Sequence, residues 1–404
     1  MLHDPARHEP LGTIDWDADA AAAAIERIVD DTEARFDAHA HWPLHPRDAE
    51  GGPTDPVCNL YFGAGGVVWA LEHLQATGAV KLRRSYKDYA QALPVLDSAW
   101  LAACGNDPRD VASYLMGETG LRLLAWQLAP SSTEADRLEA LIAGNLDHPA
   151  RELMWGAPGT MLAALFMHER TSETRWAELF RASADRLWSA LLPSQEHRCR
   201  YWTQDLYGYQ MTSLGGVHGF VATAAVLIQG RALLADTAWT AWAECIVQTV
   251  QRTAAWEANA VNWPPDLYTV GAPSRPQKKL MQFCHGAPGF VIGLADFPGT
   301  ALDPELIAGG EAIWRAGPLA KGSNLCHGTG GNGYAFLALY RRTKDPGWLA
   351  RARAFAMHGI AQTDAGARAH GQMRYSLWTG DPGFAVYLRD CIRGEGAFPT
   401  LQVF

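Results

Sequence analysis

The stretches FCHGAPGFVIGLA (283–295) and LCHGTGGNGYAFLALY (325–340) decide how this chain is read. Each sets Cys-His-Gly at the head of an apolar run, with another glycine three residues after the first. Five further segments share the frame of apolar lead-in, G-x-x-G and apolar run: LYFGAGGVVWAL (60–71), LMGETGLRLLAW (115–126), LMWGAPGTMLAAL (153–165), LGGVHGFVATAAVL (214–227) and SLWTGDPGFAVYL (376–388). The glycine pairs are Gly63/Gly66, Gly117/Gly120, Gly156/Gly159, Gly216/Gly219, Gly286/Gly289, Gly328/Gly331 and Gly380/Gly383. A single G-x-x-G is a weak signal, but seven at spacings of roughly 40 to 70 residues are a repeat.

Glycine permits a tight turn and a close backbone approach where a helix begins. The runs that follow are apolar on most faces and predict buried helices. Between them, DRLEALIAGNL (136–146) and TRWAELFRASADRLWSALL (174–192) space apolar residues three and four apart, the pattern of half-exposed helices. Alternating strand patterns are nearly absent. The expectation is an all-α chain: an α/α toroid of seven inner and seven outer helices, with the glycine turns gathered at one end. It covers residues 1–404 as one domain, with a helix and loop extension up to about residue 50. The alternative is an irregular helical bundle with incidental glycines.

At 404 residues, 48% hydrophobic and 19% charged, the composition is that of an ordinary soluble globular protein. A net charge of −9 and a pI near 5.9 give no reason to expect nucleic acid or an anionic membrane as partner. No apolar run reaches membrane-spanning length, and MLHDPARHEP lacks the core of a signal peptide. Seven cysteines, odd in number and scattered, argue against a disulfide framework and for a reducing, cytoplasmic setting. Phosphate-binding loops, nucleophile elbows and dinucleotide fingerprints are absent, because G-x-x-G here follows no strand. Two Pro/Gly-rich loops are expected at 41–59 and 262–279, the second bordering a substrate.

If the turns converge, the polar residues written beside them converge too. These are Glu152 before the third turn, His218 inside the fourth, Cys284 and His285 at the fifth, and Cys326 and His327 at the sixth. Zinc accepts thiolate and imidazole tetrahedrally, filling all four places in a structural site and leaving one open in a catalytic one. A helix N-terminus also favours the thiolate. An isolated Cys-His-Gly reads more simply as a buried cysteine beside a hydrogen-bonded histidine; duplication at equivalent turns favours metal.

With these motifs the chain resembles the lanthionine synthetase C-like (LanC-like) family over roughly residues 55–404, most specifically at CHGAPG and LCHGTGGNGYAFL. The resemblance implies zinc held by Cys284, Cys326 and His327, with the fourth place open to a substrate thiol. His285 stands where the family's peptide cyclases commonly carry tyrosine, so it is not expected to be a ligand. It further implies thiol addition to dehydroalanine or dehydrobutyrine, with His218 as proton donor. Glu152, at the family's acidic position, would orient a histidine or handle a proton. One branch of the family closes thioether rings within a precursor peptide; the other resembles a glutathione transferase acting on dehydroamino acids in proteins. The histidine of FCHGAPG, Lys321 five residues before Cys326, and Phe398-Pro399 lean towards the second. Lys321 then becomes a partner for a glutathione carboxylate, and Arg368 and Arg374 add positive charge at the pocket mouth. The cyclases' arginine four residues before the first zinc cysteine is Leu280 here, with Lys278 and Lys279 nearby but out of register. The function expected is zinc-dependent thiol addition to a dehydroamino-acid-containing peptide or protein, with glutathione as donor. A lanthipeptide cyclase using a peptide thiol, or a non-catalytic zinc-containing scaffold, are the alternatives.

Overall fold

In the computed structural model, which describes residues 1–49, 57–104, 106–270 and 279–404, the chain is mostly helical. Its α-helices run α1 (Ala18–Ala34), α2 (Pro46–Ala49), α3 (Ala64–Ala76), α4 (Lys87–Ala103), α5 (Glu118–Leu128), α6 (Ser132–Gly144), α7 (Ala157–Thr171), α8 (Thr174–Ser189), α9 (Phe220–Gln229), α10 (Asp236–Thr253), α11 (Ala287–Leu294), α12 (Asp303–Ala316), α13 (Thr329–Thr343), α14 (Pro346–His370) and α15 (Asp381–Arg393). The seven apolar runs are α3, α5, α7, α9, α11, α13 and α15, each with glycine at its N-cap. In α7 every residue from Ala157 to Met167 is buried, and in α13 every residue from Thr329 to Leu339. A helix without a polar face needs neighbours on all sides. Each of the seven packs on the next, and α15 packs on α3, so the inner ring closes. The outer helices are amphipathic: α8 buries Trp176, Phe180, Ser183, Ala184 and Leu187 on one stripe. The N-terminal α1, capped by the Asp17 carboxylate, lies on α15 and α14 and takes the seventh outer place. The molecule is an α/α toroid.

Backbone hydrogen bonds tie most of the glycine turns to one another, mainly through the residue two places before the cap glycine and, at the third turn, through Leu153, three places before it. Tyr61 N–H donates to Leu115 O (3.0 Å), Leu115 to Met154 O (3.2 Å) and Leu153 to Val217 O (3.2 Å). Cys284 N–H donates to Cys326 O (3.2 Å), Cys326 to Trp378 O (2.8 Å) and Trp378 to Tyr61 O (3.0 Å). Between the fourth and fifth turns contact is closer still, for a Cβ on Gly215 would stand 2.1 Å from the Cys284 carbonyl oxygen. That proximity explains the extra glycines of LGGVHG. The fourth motif is therefore out of the expected register: Gly219, not Gly216, caps α9, and Ala222 takes the place of a second glycine. His218 consequently precedes its cap glycine as His285 and His327 precede theirs.

Strands are commoner than expected. Among the described residues seven short ones form three small sheets: β1 (Leu192–Ser194) with β2 (Cys199–Tyr201), β3 (Gln204–Leu206) with β4 (Tyr209–Ser213) and β7 (Asp266–Val270), and β5 (Ala255–Glu257) with β6 (Ala260–Asn262). Runs of three to five residues are too short to show period-two alternation. The β3–β4 turn, Tyr207-Gly208, has φ of 53° and 78°, the doubly left-handed form that matches strand twist. Strand β7 lies in the stretch expected to be a loop at 262–279; residues 271–278 of that stretch, Lys278 included, and 50–56 of the other loop lie outside the described residues.

Residues 396–404 fill the ring's interior. Phe398 stacks on Phe283 at 4.2 Å and touches Tyr334 and Trp378, while Phe404 meets Trp69, Tyr114 and Phe166. Burying a phenylalanine contributes about 1.5–3 kcal/mol, and here it also fixes the floor beneath the fifth turn.

Where a second glycine follows the cap glycine, it exists for space. A Cβ on Gly383 would stand 1.8 Å from the Leu377 carbonyl oxygen, whereas one on Gly144 meets nothing within 4 Å. Gly383→Ala is expected to lower unfolding free energy by about 1–3 kcal/mol, read from the denaturant midpoint. Gly144→Ala should leave it within about 1 kcal/mol of the parent.

Candidate metal and proton-transfer site

The turn-to-turn bonds fix what the rim presents. The fifth and sixth turns put cysteine at the equivalent place, and Cys284 and Cys326 are adjacent because their backbones pair. His327 follows Cys326, its N–H accepted by Asn324 Oδ1 at 3.0 Å. One donor atom from each of Cys284, Cys326 and His327 lies within 4.8 Å of the others, and this is the only such group of three among the described residues. His285 is outside it. The first turn contributes Tyr61 at the same position, and its hydroxyl donates to Cys326 Sγ at 2.9 Å. Gln282 Nε2 donates to Cys284 Sγ at 2.9 Å.

The electrostatics suit a metal. The hydrogen bond between the two sulfurs pulls Cys284 below the ordinary thiol range and pushes Cys326 well above it, with burial adding to the rise at Cys326. Gln282, His218 and Lys321 also favour the Cys284 thiolate. Burial, then the charges of Lys321, Arg374, Arg7 and Arg47, pull His327 down to about 3, so its ring stays neutral with a lone pair to offer. Two buried sulfurs and a neutral imidazole are a donor set that zinc takes.

Across the rim, the third and fourth turns build a second device. Glu152 is fully buried, accepting N–H from Met154 (3.0 Å) and Trp155 (2.6 Å), and its Oε2 lies 2.7 Å from His218 Nδ1. Burial alone would lower the His218 pKa; the charge and hydrogen bond of Glu152, with help from Cys284, outweigh it and raise it above 6.5. The β3–β4 hairpin overhangs this pair. Tyr207 meets the His218 ring edge-on at 6.0 Å, and its hydroxyl takes the Trp155 indole N–H at 3.3 Å.

The three basic residues expected at the pocket mouth differ. Lys321 is exposed, and its charge reaches both cysteines and His327. It lines a recess with His45, Arg47, His370 and Arg374. Arg374 is largely buried and held by both oxygens of Asp48, so its charge is already compensated. Arg368 is exposed in the last turn of α14, outside the residues lining that recess. Tyr61, Gln282 and Tyr207 were not anticipated from sequence. Aligning the repeats on the cap glycine would have found Tyr61, and the Tyr-Gly turn between short strands would have marked the hairpin.

The sequence profile of the lanthionine synthetase C-like protein family matches residues 19–402. The chain belongs to that family. Glutathione S-transferase LANCL1 of Danio rerio is 36% identical over 136 residues, 31% of this LanC-like chain and 32% of that protein. LanC-like protein GCL1 of Arabidopsis thaliana is 41% identical over 93 residues, 20% of each. The alignments thus span about a third or less of these curated relatives' lengths. Among solved structures, nisin cyclase superposes with a TM-score of 0.60 at 14% identity, covering 91% of this chain and 93% of its own. That likeness is one of fold. No described helix of this LanC-like protein is long and apolar enough to cross a membrane.

The dyad makes a prediction independent of any reaction. Replacing Glu152 with Gln removes the charge that raises His218 and leaves burial to act, so the His218 pKa should fall below 6.5 in an NMR titration. The raised value is a stabilising term, fully present below pH 6.5 and lost as pH rises through the folded pKa. The variant's stability should lose that dependence just above pH 6.5. An unmoved pKa would contradict the electrostatic account.

Proposed function

We propose that this protein is a zinc-dependent enzyme that adds a thiol, with glutathione as donor, to dehydroalanine or dehydrobutyrine in a peptide or protein. The observation that carries the reading is the placing of a three-donor metal cluster and a charged Glu152–His218 pair on one rim, near enough that Cys284 and His218 influence each other's protonation. Cys284, Cys326 and His327 would hold the metal. Bound there, zinc would lower the pKa of a substrate thiol so that it is available as thiolate at neutral pH.

The remaining work falls to the chain's own groups. In the addition, the thiol sulfur bonds to the β-carbon of the acceptor and the double-bond electron pair moves to the α-carbon, which then takes a proton. The thiol's proton is lost in the same turnover, so the sum is addition of S–H across the double bond. His218, its pKa raised by Glu152, would supply the proton at the α-carbon. Glu152 is itself held by two backbone N–H groups, so the imidazole has one fixed orientation. Tyr207 lies edge-on against the same imidazole. Glutathione is favoured as donor because positive charge gathers beside the cluster on Lys321, Arg47 and Arg7, the first exposed to meet a carboxylate. The name of the Danio rerio relative points the same way.

The reading is tested by metal analysis and by incubating the protein with reduced glutathione and a dehydroalanine peptide. Wild type should hold zinc and yield the glutathione adduct by mass spectrometry; Cys326→Ala should lose the metal. His218→Ala should keep the metal but slow addition by about 10²–10⁴-fold. Ring closure within a cysteine-containing peptide, with no glutathione adduct, would make the protein a cyclase instead. Absence of zinc in the wild type would remove the reading.

A further inference from the structure

Residues 2–12 lie across the rim next to the metal cluster. Asn262 Nδ2 donates to Leu2 O (2.8 Å), and the same residue's Oδ1 accepts the Ala287 N–H (2.7 Å) at the start of α11. Ala320 N–H donates to Arg7 O (3.0 Å), and Glu9 N–H to Pro318 O (2.8 Å). Glu9 Oε2 is met by His358 Nε2 (2.9 Å) and Gln362 Nε2 (2.8 Å) from α14. Between these anchors, Asp4 caps a single 3-10 turn, Pro5–Arg7. The segment thus spans from the fifth turn to the sixth, the two that carry the cysteines.

Arg7 crosses to the fifth turn. Its Nη2 donates to Gln282 Oε1 at 3.0 Å, and Gln282 Nε2 donates to Cys284 Sγ at 2.9 Å. Both Gln282 and Cys284 are buried, 5% and 8% exposed, so neither end of the amide has water to fall back on. An amide has an acceptor end and a donor end, whereas a guanidinium has donors only. Arg7 can therefore hold the oxygen and nothing else, which turns the NH2 towards sulfur. The reverse orientation would set a carbonyl oxygen against a sulfur that must be anionic to bind metal, and lone pairs would face one another.

We propose that Arg7 is a positioning residue for the metal site: through Gln282 it fixes an N–H donor on the Cys284 sulfur and so secures that sulfur as a ligand. This rests on the zinc reading above. Outer partners of metal ligands orient them and typically contribute about 10–100-fold in affinity. The N-terminal segment is then a working part of the site.

The test is zinc affinity, measured on the full chain by competition with a chromophoric chelator, so no turnover is needed. Arg7→Met keeps the aliphatic stem and removes the donors; Gln282→Met removes the relay at similar volume. Each should weaken zinc binding by about 10–100-fold, and the double variant by no more than the larger single loss, because both break one chain of bonds. Arg7→Lys, still a donor, should keep most of the affinity and guards against a folding defect in Arg7→Met, as does the thermal midpoint. Wild-type affinity in Arg7→Met, or losses that multiply in the double variant, would overturn the proposal. A wild type that binds no zinc would overturn the metal reading and this inference together; the two failures are thus told apart.

Discussion

The structure depends on the backbone bonds that join one glycine turn to the next. A helix start leaves its first N–H groups without partners inside the helix. Here the glycines let each start nestle into the carbonyls of its own preceding turn: Gly65 N–H reaches Cys58 O, and Gly330 N–H reaches Ser323 O. In most of the turns the residue two before the cap then bonds sideways to its neighbour around the ring, and at the third turn Leu153, three before it, does so. Because that bond is backbone to backbone, it leaves the side chain free to vary. Tyr61, Leu115, Met154, Val217, Cys284, Cys326 and Trp378 occupy one position in the repeat with six different side chains, cysteine alone occurring twice. Only where two neighbours are both cysteine, followed in the second by His327, do three candidate metal donors gather.

The rim is electrically uneven although the chain carries a net charge of −9. At His327 burial, then the charges of Lys321, Arg374, Arg7 and Arg47, keep the ring neutral. At His218 the charge and hydrogen bond of Glu152 outweigh burial and raise the pKa. Two histidines in equivalent places, each just before a cap glycine, are thus shifted in opposite directions by their surroundings. That is the arrangement needed for one to bind metal and the other to give a proton. Neither shift follows from the histidine's place in the repeat.

The ring is completed by segments outside the repeat. Residues 396–404 enter from within, where Phe398 supports Phe283 just before the first metal-site cysteine. Residues 2–12 lie over the rim and reach Gln282. The β3–β4 hairpin covers the proton-transfer pair with Tyr207. Floor, flank and roof of the site therefore come from parts of the chain that no repeat accounts for.

Sequence by itself pointed to the toroid, since seven glycine-led apolar helices with half-exposed helices between them make a repeat that a two-layered ring buries, and the packing of α15 on α3 closed that ring. It also singled out Cys284, Cys326, His327, His218 and Glu152, which the structure brings to one rim, because unusual residues beside equivalent turns must share an end. What it missed has physical reasons. The fourth turn differs in register because its one G-x-x-G, Gly216/Gly219, ends rather than begins at the cap, while Gly215 and Gly216 are glycines for close contact with the fifth turn's backbone. Three-residue strands carry no period to read. Arg374 was taken as available, yet Asp48, more than three hundred residues away in sequence, holds it. Hydrogen-bond partners, burial and protonation depend on which distant groups come together, and only the closing of the ring decides that.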